Sequence, residues 1–361
     1  KLDLLAPQID AFMERQTFNS DISHHNLHQN FLAARRAVSQ SSFSEEDVYF
    51  LLNDCQLVCF VLKDVSEAFQ FFDSQNARGR DLDPHDLLKA FHLREFSEAE
   101  ADLKAITVSH WESLDSTALS NTFANYLYRI RQWAEGKSAQ HFNKNKVAVF
   151  KGVNLDSIGV YPYTESLRIA HYFVDDYNSQ YQRQIDRQKM RFPFHLDQMV
   201  INGRRFFEMI NYYQLLICQV IDDEHHGSNG KQITLMGAVL DERASTIIHV
   251  LNNYPSRYRT GDNYIRNLFD CALIYYIDKF GTQDISAAVE KLFVWAYGCR
   301  LQMQVVQLAT MDNHARENNL FKLIKNAIHP VDVLNHPLET IKNVKGTKLD
   351  AIVGLFKELK Y

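Results

Sequence analysis

The stretch TGDNYIRNLFDCALIYYIDKFG, residues 260–281, decides the fold class. Ile265, Phe269, Ala272 and Tyr276 recur at steps of three and four, the period of one face of an α-helix. Asp262 predicts a cap at its start and Gly281 a stop at its end. Downstream, Ala288, Leu292, Trp295, Cys299, Met303 and Val306 continue the same period. They predict a helix of about 25 residues, ~38 Å long at 1.5 Å per residue. Upstream, Leu167, Ala170, Val174, Tyr177, Tyr181 and Ile185 make a five-turn face that ends at Phe192-Pro193. Leu119, Phe123, Tyr126, Ile130 and Trp133 make another, stopped by Gly136, and Leu27, Phe31, Ala34 and Val38 a fourth behind a cap at Ser23. Only Gln56 to Leu62, QLVCFVL, reads as a strand.

The expected architecture is therefore mainly α, with two helical lobes, 1–150 and 151–361, and at most a short strand near 56–62. The division falls in the weakly periodic connector Gly136–Tyr163. His225–Ile233, HHGSNGKQI, reads as a mobile surface loop.

Composition narrows the function classes. The 361 residues are 46% hydrophobic and 23% charged, ordinary for a soluble protein with a core. Lys+Arg number 39 against 44 Asp+Glu, a net charge of −5, which argues against a charge-driven nucleic-acid binder while leaving room for a local basic patch. Five cysteines, Cys55, Cys59, Cys218, Cys271 and Cys299, form no CxxC pair and read as buried thiols of a reducing cytoplasm. No apolar run approaches the roughly 18 residues of a membrane span, so no membrane is expected as a partner. The chain begins at Lys1, which reads as a fragment or a trimmed product.

The densest local signals lie in FFDSQNARGRDLDPHDLLKAFHLRE, residues 71–95. Gly79 supplies a position for φ > 0, Asp83 an N-cap, Pro84 the first helical position, and Leu82 with Leu87 a hydrophobic staple. Local structure thus accounts for most of the run as a well-capped corner. It leaves Asn76, Arg78, Arg80 and Lys89 as donors near a helix N-terminus that, with Asp86 at its third position, would suit phosphate.

The same run resembles the F-x-x-x-N-x-R-G-x-x-L-x-x-x-D-L-x-K signature of the GmrSD-type restriction proteins, first catalogued as domain of unknown function family 262. FPFHLDQMVINGRRFF (192–207), residues 260–281 and NNLFKLIKNAIHP (318–330) are similar to that family's helical continuation. By position, Asn76, Arg78, Gly79, Leu82, Asp86 and Lys89 match the signature. The resemblance does not fix their chemical roles; the position at a helix N-terminus makes Asn76, Arg78, Gly79, Asp86 and Lys89 the phosphate- or nucleotide-facing candidates. The family's ParB/sulfiredoxin-like domain, with its I-P-x-F-Q-R and D-G-Q-Q-R motifs, does not occur here, nor does an HNH arrangement. The resemblance therefore implies a helical portion that follows a missing N-terminal domain. No cofactor is expected in this chain, with NTP and a divalent metal belonging to the full-length protein.

Arg183, Arg187 and Arg191 recur every four residues with Lys189 beside them, and Arg204 and Arg205 follow. They read either as a stripe for DNA phosphates or as cations on a solvated helix C-terminus. His24 and His28 have a metal-compatible spacing without a third ligand, and His225-His226 are similar. Asp222, Asp223 and Glu224 are most simply a solvated acidic run. No P-loop, G-x-G-x-x-G or G-x-S-x-G occurs. The leading expectation is a regulatory, specificity or assembly module of an NTP-dependent restriction protein of phage defence, not catalytic by itself. Its partners would be DNA, its own N-terminal domain and a second copy. The alternatives are a protein-interaction scaffold and a self-contained hydrolase or nuclease without a recognisable motif. Only the leading reading requires the basic stripe to face a ligand.

Overall fold

Scarce glycine and proline leave few places to stop a helix, and the chain is mainly α-helical. A computed structural model describes residues 21–40, 42–56, 82–96, 100–155, 161–221, 227–229 and 232–361. The chain divides into two units, Lys1–Arg78 with Ser97–Ser113 and Gly79–Phe96 with Leu114–Tyr361. The first unit holds α1 (Asp21–Val38), α2 (Glu45–Asn53) and, beyond a helix α3 (Pro84–Arg94) of the second unit, α4 (Ala101–Ser113). Asp21 already belongs to α1, so Ser23 lies inside the helix and does not cap it. On the expected stripe, Phe31 and Val38 are half-buried while Leu27 and Ala34 are exposed. α2 opens on a capping box, in which Asp47 N–H donates to Ser44 Oγ and Ser44 N–H to Asp47 Oδ2 at 2.7 Å. Residues 57–62 of the expected strand lie outside the described residues.

The second unit continues with α5 (Ser116–Asn121), a π-helical segment Thr122–Leu127 and α6 (Tyr128–Ala134). Asp115 caps α5 through Ala118 N–H at 2.7 Å, and Gly136, at φ 71°, ends α6 where the sequence places the stop. Within the π-helical segment the Asn125 carbonyl accepts from Cys271 Sγ at 3.1 Å. The connector after Gly136 is held within this unit. Val153 N–H donates to the Val200 carbonyl at 3.0 Å and Asn202 N–H to the Val153 carbonyl at 2.8 Å.

Then come α7 (Glu165–Ser179), α8 (Tyr181–Ile185), α9 (Arg204–Ile221), the strands β1 (Gly227–Asn229), β2 (Gln232–Leu235) and β3 (Ala238–Val239), and α10 (Glu242–Asn253). The strands form an antiparallel sheet in chain order, with Gly227 opposite Thr234 and Leu235 opposite Ala238. Residues 227–229 and 232–233, read from sequence as a mobile loop, are thus strand. Ile233 N–H also donates to Ser245 Oγ on α10, at 3.0 Å.

α11 (Thr260–Phe280) and α12 (Ile285–Gln302) form the central hairpin, followed by α13 (Leu308–Glu317), α14 (Leu320–Asn326), α15 (Pro330–Leu334) and α16 (Asp350–Glu358). α11 is buried continuously from Leu268 to Ile277, and α12 from Leu292 to Leu301. Helices that are apolar on every side belong inside. Gly281, at φ 61°, closes α11 as its sequence predicts. Two expectations are corrected. Asp262 is not the cap: α11 starts at Thr260, and Asp262 is a buried acceptor for Arg300 Nε at 3.0 Å and Tyr254 Oη at 3.1 Å. α12 spans 18 residues, because Met303 turns extended and its carbonyl accepts from Arg300 Nη1 at 3.1 Å. No helix among the described residues is long and apolar enough to cross a membrane.

Candidate functional site

Of the signature corner, Asn76, Arg78 and Gly79 lie outside the described residues. Asp86 and Lys89 stand half-buried on α3. Asp83 has the extended backbone of an N-cap, yet its side chain accepts no cap hydrogen bond. Its carboxylate instead gathers with His85 and Asp86, each offering one ligand atom within 4.8 Å of the others. This is the one such cluster among the described residues. It sits at the positive end of a helix dipole, and all its ligands come from four successive residues on one side, both unfavourable for a cation. The buried His85 Nε2 is already engaged by Ser116 Oγ at 3.2 Å. The rest of α3 is anchored by His92, whose Nε2–H donates to the Phe150 carbonyl at 2.9 Å while Nδ1 accepts from Gly203 N–H at 3.3 Å. Its ring stacks on Phe206 at 3.7 Å, and burial pushes its pKa down to about 3. His92 is structural.

The basic residues separate into two groups. Gln180, extended at ψ 131°, ends α7, α8 stops at Ile185, and Arg187 takes φ 54°. Arg183, Arg187 and Arg191 therefore do not share one helix face, which corrects the stripe predicted from their spacing. They are nevertheless brought to one end of α7. Asn178 holds Met190 from both sides, its Nδ2 donating to the Met190 carbonyl at 3.0 Å and its Oδ1 accepting Met190 N–H at 2.8 Å. This folds the extended segment carrying Arg187, Lys189 and Arg191 back onto the helix. These three cations are exposed, and no ion pair among the described residues involves them. Arg183 lies over the Tyr177 ring at 4.7 Å.

Arg204, half-buried, and Arg205, buried, are taken up by carboxylates. Arg204 Nη2 meets Asp175 Oδ2 at 2.6 Å, and Arg205 pairs with the same oxygen and with Glu208 Oε2 at 2.8 Å. The Arg205 guanidinium is buried over the Phe192 ring at 4.1 Å. On the inner face of α7, His171 is fully buried on Phe192 with neither ring nitrogen bonded among the described residues. Burial, with Arg205 nearby, lowers its pKa to about 4.

The outward face of α7 was missed at the sequence level. Ile169, Tyr172 and Phe173 point to solvent, flanked by Tyr161 and Tyr163 before the helix and by Tyr181 and Ile185 after it. Exposure reaches 57% at Phe173, 62% at Tyr163 and 77% at Tyr181, far from the usual burial of such rings. The rings are ordered by one another and by cations. Tyr161 meets Tyr163 at 5.8 Å, Phe173 meets Tyr177 at 6.2 Å, and Arg168 lies over Tyr172 at 5.8 Å. Sequence periodicity could have flagged this helix, since its apolar residues cover more of the circumference than one buried face needs.

A cleft of about 240 Å³ is lined by Arg131, Gln132, Glu135, Lys137, Leu196 and Asp197 among others. Arg131 Nη1 donates to the Leu196 and Gln198 carbonyls at 2.7 and 2.9 Å, while its Nε is buried without a partner. Behind it Asp278 accepts Leu196 N–H and Tyr213 Oη–H, both at 2.8 Å, with His195 Nδ1 4.0 Å away. Burial raises the Asp278 carboxyl to about 6, in the range of a general acid or base. The described cleft lining offers no Ser, Thr or Cys nucleophile. These partners fasten the 194–198 segment to α6 and α11. Cys271 and Cys299 are buried thiols with raised pKa, as expected, whereas Cys55 and Cys218 are exposed.

No curated protein and no solved structure matches the chain. Residues 103–351 match the profile of a family described as "Family of unknown function (DUF7834)", a span that contains the α7 surface and leaves out residues 71–95. That match covers most of the 361 residues, and the chain belongs to the DUF7834 family.

Proposed function

We propose that the chain is the helical specificity or assembly module of a larger NTP-dependent restriction protein acting on modified DNA in phage defence. Its 161–191 surface faces the nucleic acid. Catalysis, with its NTP and divalent metal, belongs to the N-terminal domain that the GmrSD resemblance implies. The supporting observation is the gathering of four cations, Arg183, Arg187, Lys189 and Arg191, near the C-terminal end of α7. Residues 181–191 hold these four cations against one acid, Asp186, in a chain of net charge −5. Phosphate contacts position a protein on DNA, and such contacts come chiefly from Arg and Lys. Arg204 and Arg205 are not part of this surface, because Asp175 and Glu208 neutralise them. A protein-interaction scaffold remains the second reading, favoured by the exposed Ile169 and Ile185, which cannot stack on bases.

The test is anisotropy of fluorescein-labelled duplex and single-stranded DNA with the purified chain, titrated in salt. Neutralising about four phosphates gives a log–log salt slope of roughly −3 to −4. Arg187→Glu, Lys189→Glu and Arg191→Glu together should reduce that slope to about −1. Absence of binding to either DNA at low salt would overturn the proposal.

A further inference from the structure

We infer that the cleft beside α6 binds a small monocarboxylic acid, its carboxylate held by Arg131 and Lys137 and its short apolar body resting on Ala134, Val149 and Leu196. The inference does not depend on the nucleic-acid reading above.

The starting point is a charge without a counterpart. Arg131 is half-buried, and no ion pair among the described residues involves it. A guanidinium drawn out of water is ordinarily matched by a carboxylate. Burial pulls the Arg131 pKa down, which registers the same deficit. Its three nitrogens differ in what they meet. Nη1 donates to the Leu196 and Gln198 carbonyls at 2.7 and 2.9 Å. Nε is enclosed without a partner. Nη2 has neither a partner nor a cover, and the concave space that Arg131 lines is this cleft. Fastening the 196–198 backbone therefore occupies one nitrogen and leaves another free to donate. The two carbonyls and the Phe150 ring, 5.9 Å from the guanidinium carbon, hold the group in place before a ligand arrives, so little entropy is lost on binding.

The rest of the lining selects the ligand. Lys137 and the Gln132 side chain also line the cleft, and neither has a hydrogen-bond or ion-pair partner among the described residues. Glu135 is neutralised by Lys325. Asp197 accepts the Tyr275 hydroxyl at 3.2 Å and has no ion pair among the described residues. Arg131 and Lys137 thus stand against one unpaired acid, a balance that suits a single negative charge. A nucleoside triphosphate or a doubly charged phosphate ester would bring its extra charge towards Asp197. Ala134, Val149 and Leu196 add apolar surface. The volume, about 240 Å³, lies below the roughly 300–1,000 Å³ of pockets for drug-sized ligands, so that the apolar body must be short.

The experiment follows the fluorine NMR line width of para-fluorobenzoate with the purified chain, in competition with isovalerate or inorganic phosphate. Wild type should broaden the line, and isovalerate should sharpen it again where equal phosphate does not. Lys137→Glu should weaken binding about tenfold by reversing a charge at the cleft. Asp197→Asn keeps an acceptor for Tyr275 while removing the like charge, and should tighten binding about threefold. Arg131→Lys leaves a cation for the two carbonyls but no second nitrogen, so most of the binding should go. Lys137 and Asp197 are exposed, and circular dichroism establishes that each variant folds. Should Arg131→Lys fail to fold, the other two carry the test, since a merely structural role predicts no tightening in Asp197→Asn. No broadening by wild type would overturn the inference. Broadening that Lys137→Glu and Asp197→Asn leave unchanged would place the probe elsewhere and overturn it too. Phosphate competing as well as isovalerate would overturn the assignment to a carboxylate.

Discussion

Replacing Asp312 should separate the contribution of one buried oxygen from that of its charge. Asp312 is fully buried on α13 and gathers the turn that follows α6. Its Oδ1 accepts Trp133 Nε1–H at 2.9 Å and Ala139 N–H at 2.7 Å, and its Oδ2 accepts Ser138 Oγ–H at 2.7 Å. Burial alone would raise its pKa, but hydrogen bonds from Ala139, Trp133, Ser138 and Gln140 outweigh it and hold the carboxyl below 3.8. Asp312→Ala strands two buried donors, the Trp133 indole and the Ala139 amide. An unmatched buried donor costs about 1–3 kcal/mol, so the variant should lose about 4 kcal/mol. The exposed Ser138 hydroxyl turns to water and adds little. Asp312→Asn is different, because its remaining oxygen can take the Oδ1 position and keep both buried donors. Its new amide faces a Ser138 hydroxyl that can rotate to accept and gives up only the long 3.5 Å bond from Gln140 Nε2. The main loss is charge assistance, about 1 kcal/mol. The assay is urea unfolding followed by tryptophan fluorescence, with equal m-values as the check on a common unfolded state. An alanine variant within 1 kcal/mol of wild type, or an asparagine variant as damaged as alanine, would refute this account of the hub.

The two groups of arginines should respond in opposite ways: Arg205→Ala is expected to cost about 3 kcal/mol by leaving Asp175 and Glu208 short of a buried partner, and Arg187→Ala less than about 0.5 kcal/mol, both read by thermal and urea melts. Gly152→Ala should destabilise severely, since a Cβ there collides with the Val200 carbonyl oxygen, and a variant melting within a degree or two of wild type would contradict that approach. Stability should fall on acidification below neutral pH. His92, His171 and His314 have folded pKa values of about 3, 4 and 4 against 6.5, so their contribution is complete above 6.5 and is lost as pH drops. Asp278, raised from 3.8 to about 6, acts in the opposite sense, its penalty being relieved as pH falls below 6. Near pH 5 the balance is about two protons taken up on unfolding, or about 2–3 kcal/mol per pH unit, and equal urea midpoints at pH 7 and pH 5 would exclude it.

The helical class was legible because 3.6-residue periodicity is a local property, and α11 carries it with a glycine stop at Gly281. What was misread depended on residues distant in sequence. Asp262 has the position of a cap, and only Arg300, 38 residues later, makes it a buried acceptor instead. The spacing of Arg183, Arg187 and Arg191 suits a helix, but Asn178 draws the Met190 backbone out of it. The sheet was hidden for another reason. Its strands are two to four residues long, too short for alternation to register, although Asn229-Gly230 is a recognised hairpin signal. The aromatic face of α7 was visible as composition but not as a surface. Exposure depends on which face the rest of the chain covers, and here His171 and Val174 point inward while Tyr172 and Phe173 do not.

The net charge of −5 places a constraint on how the proposed surface would act. At distances beyond about 10 Å in ordinary salt, individual charges are screened, and the summed field of an acidic protein gives no long-range attraction to DNA. Association would therefore proceed without electrostatic steering, at an ordinary rate. Affinity would come from short-range contacts formed after encounter. Few phosphate contacts also mean a shallow salt dependence, so raising salt should remove less of the binding than it does for a strongly basic protein.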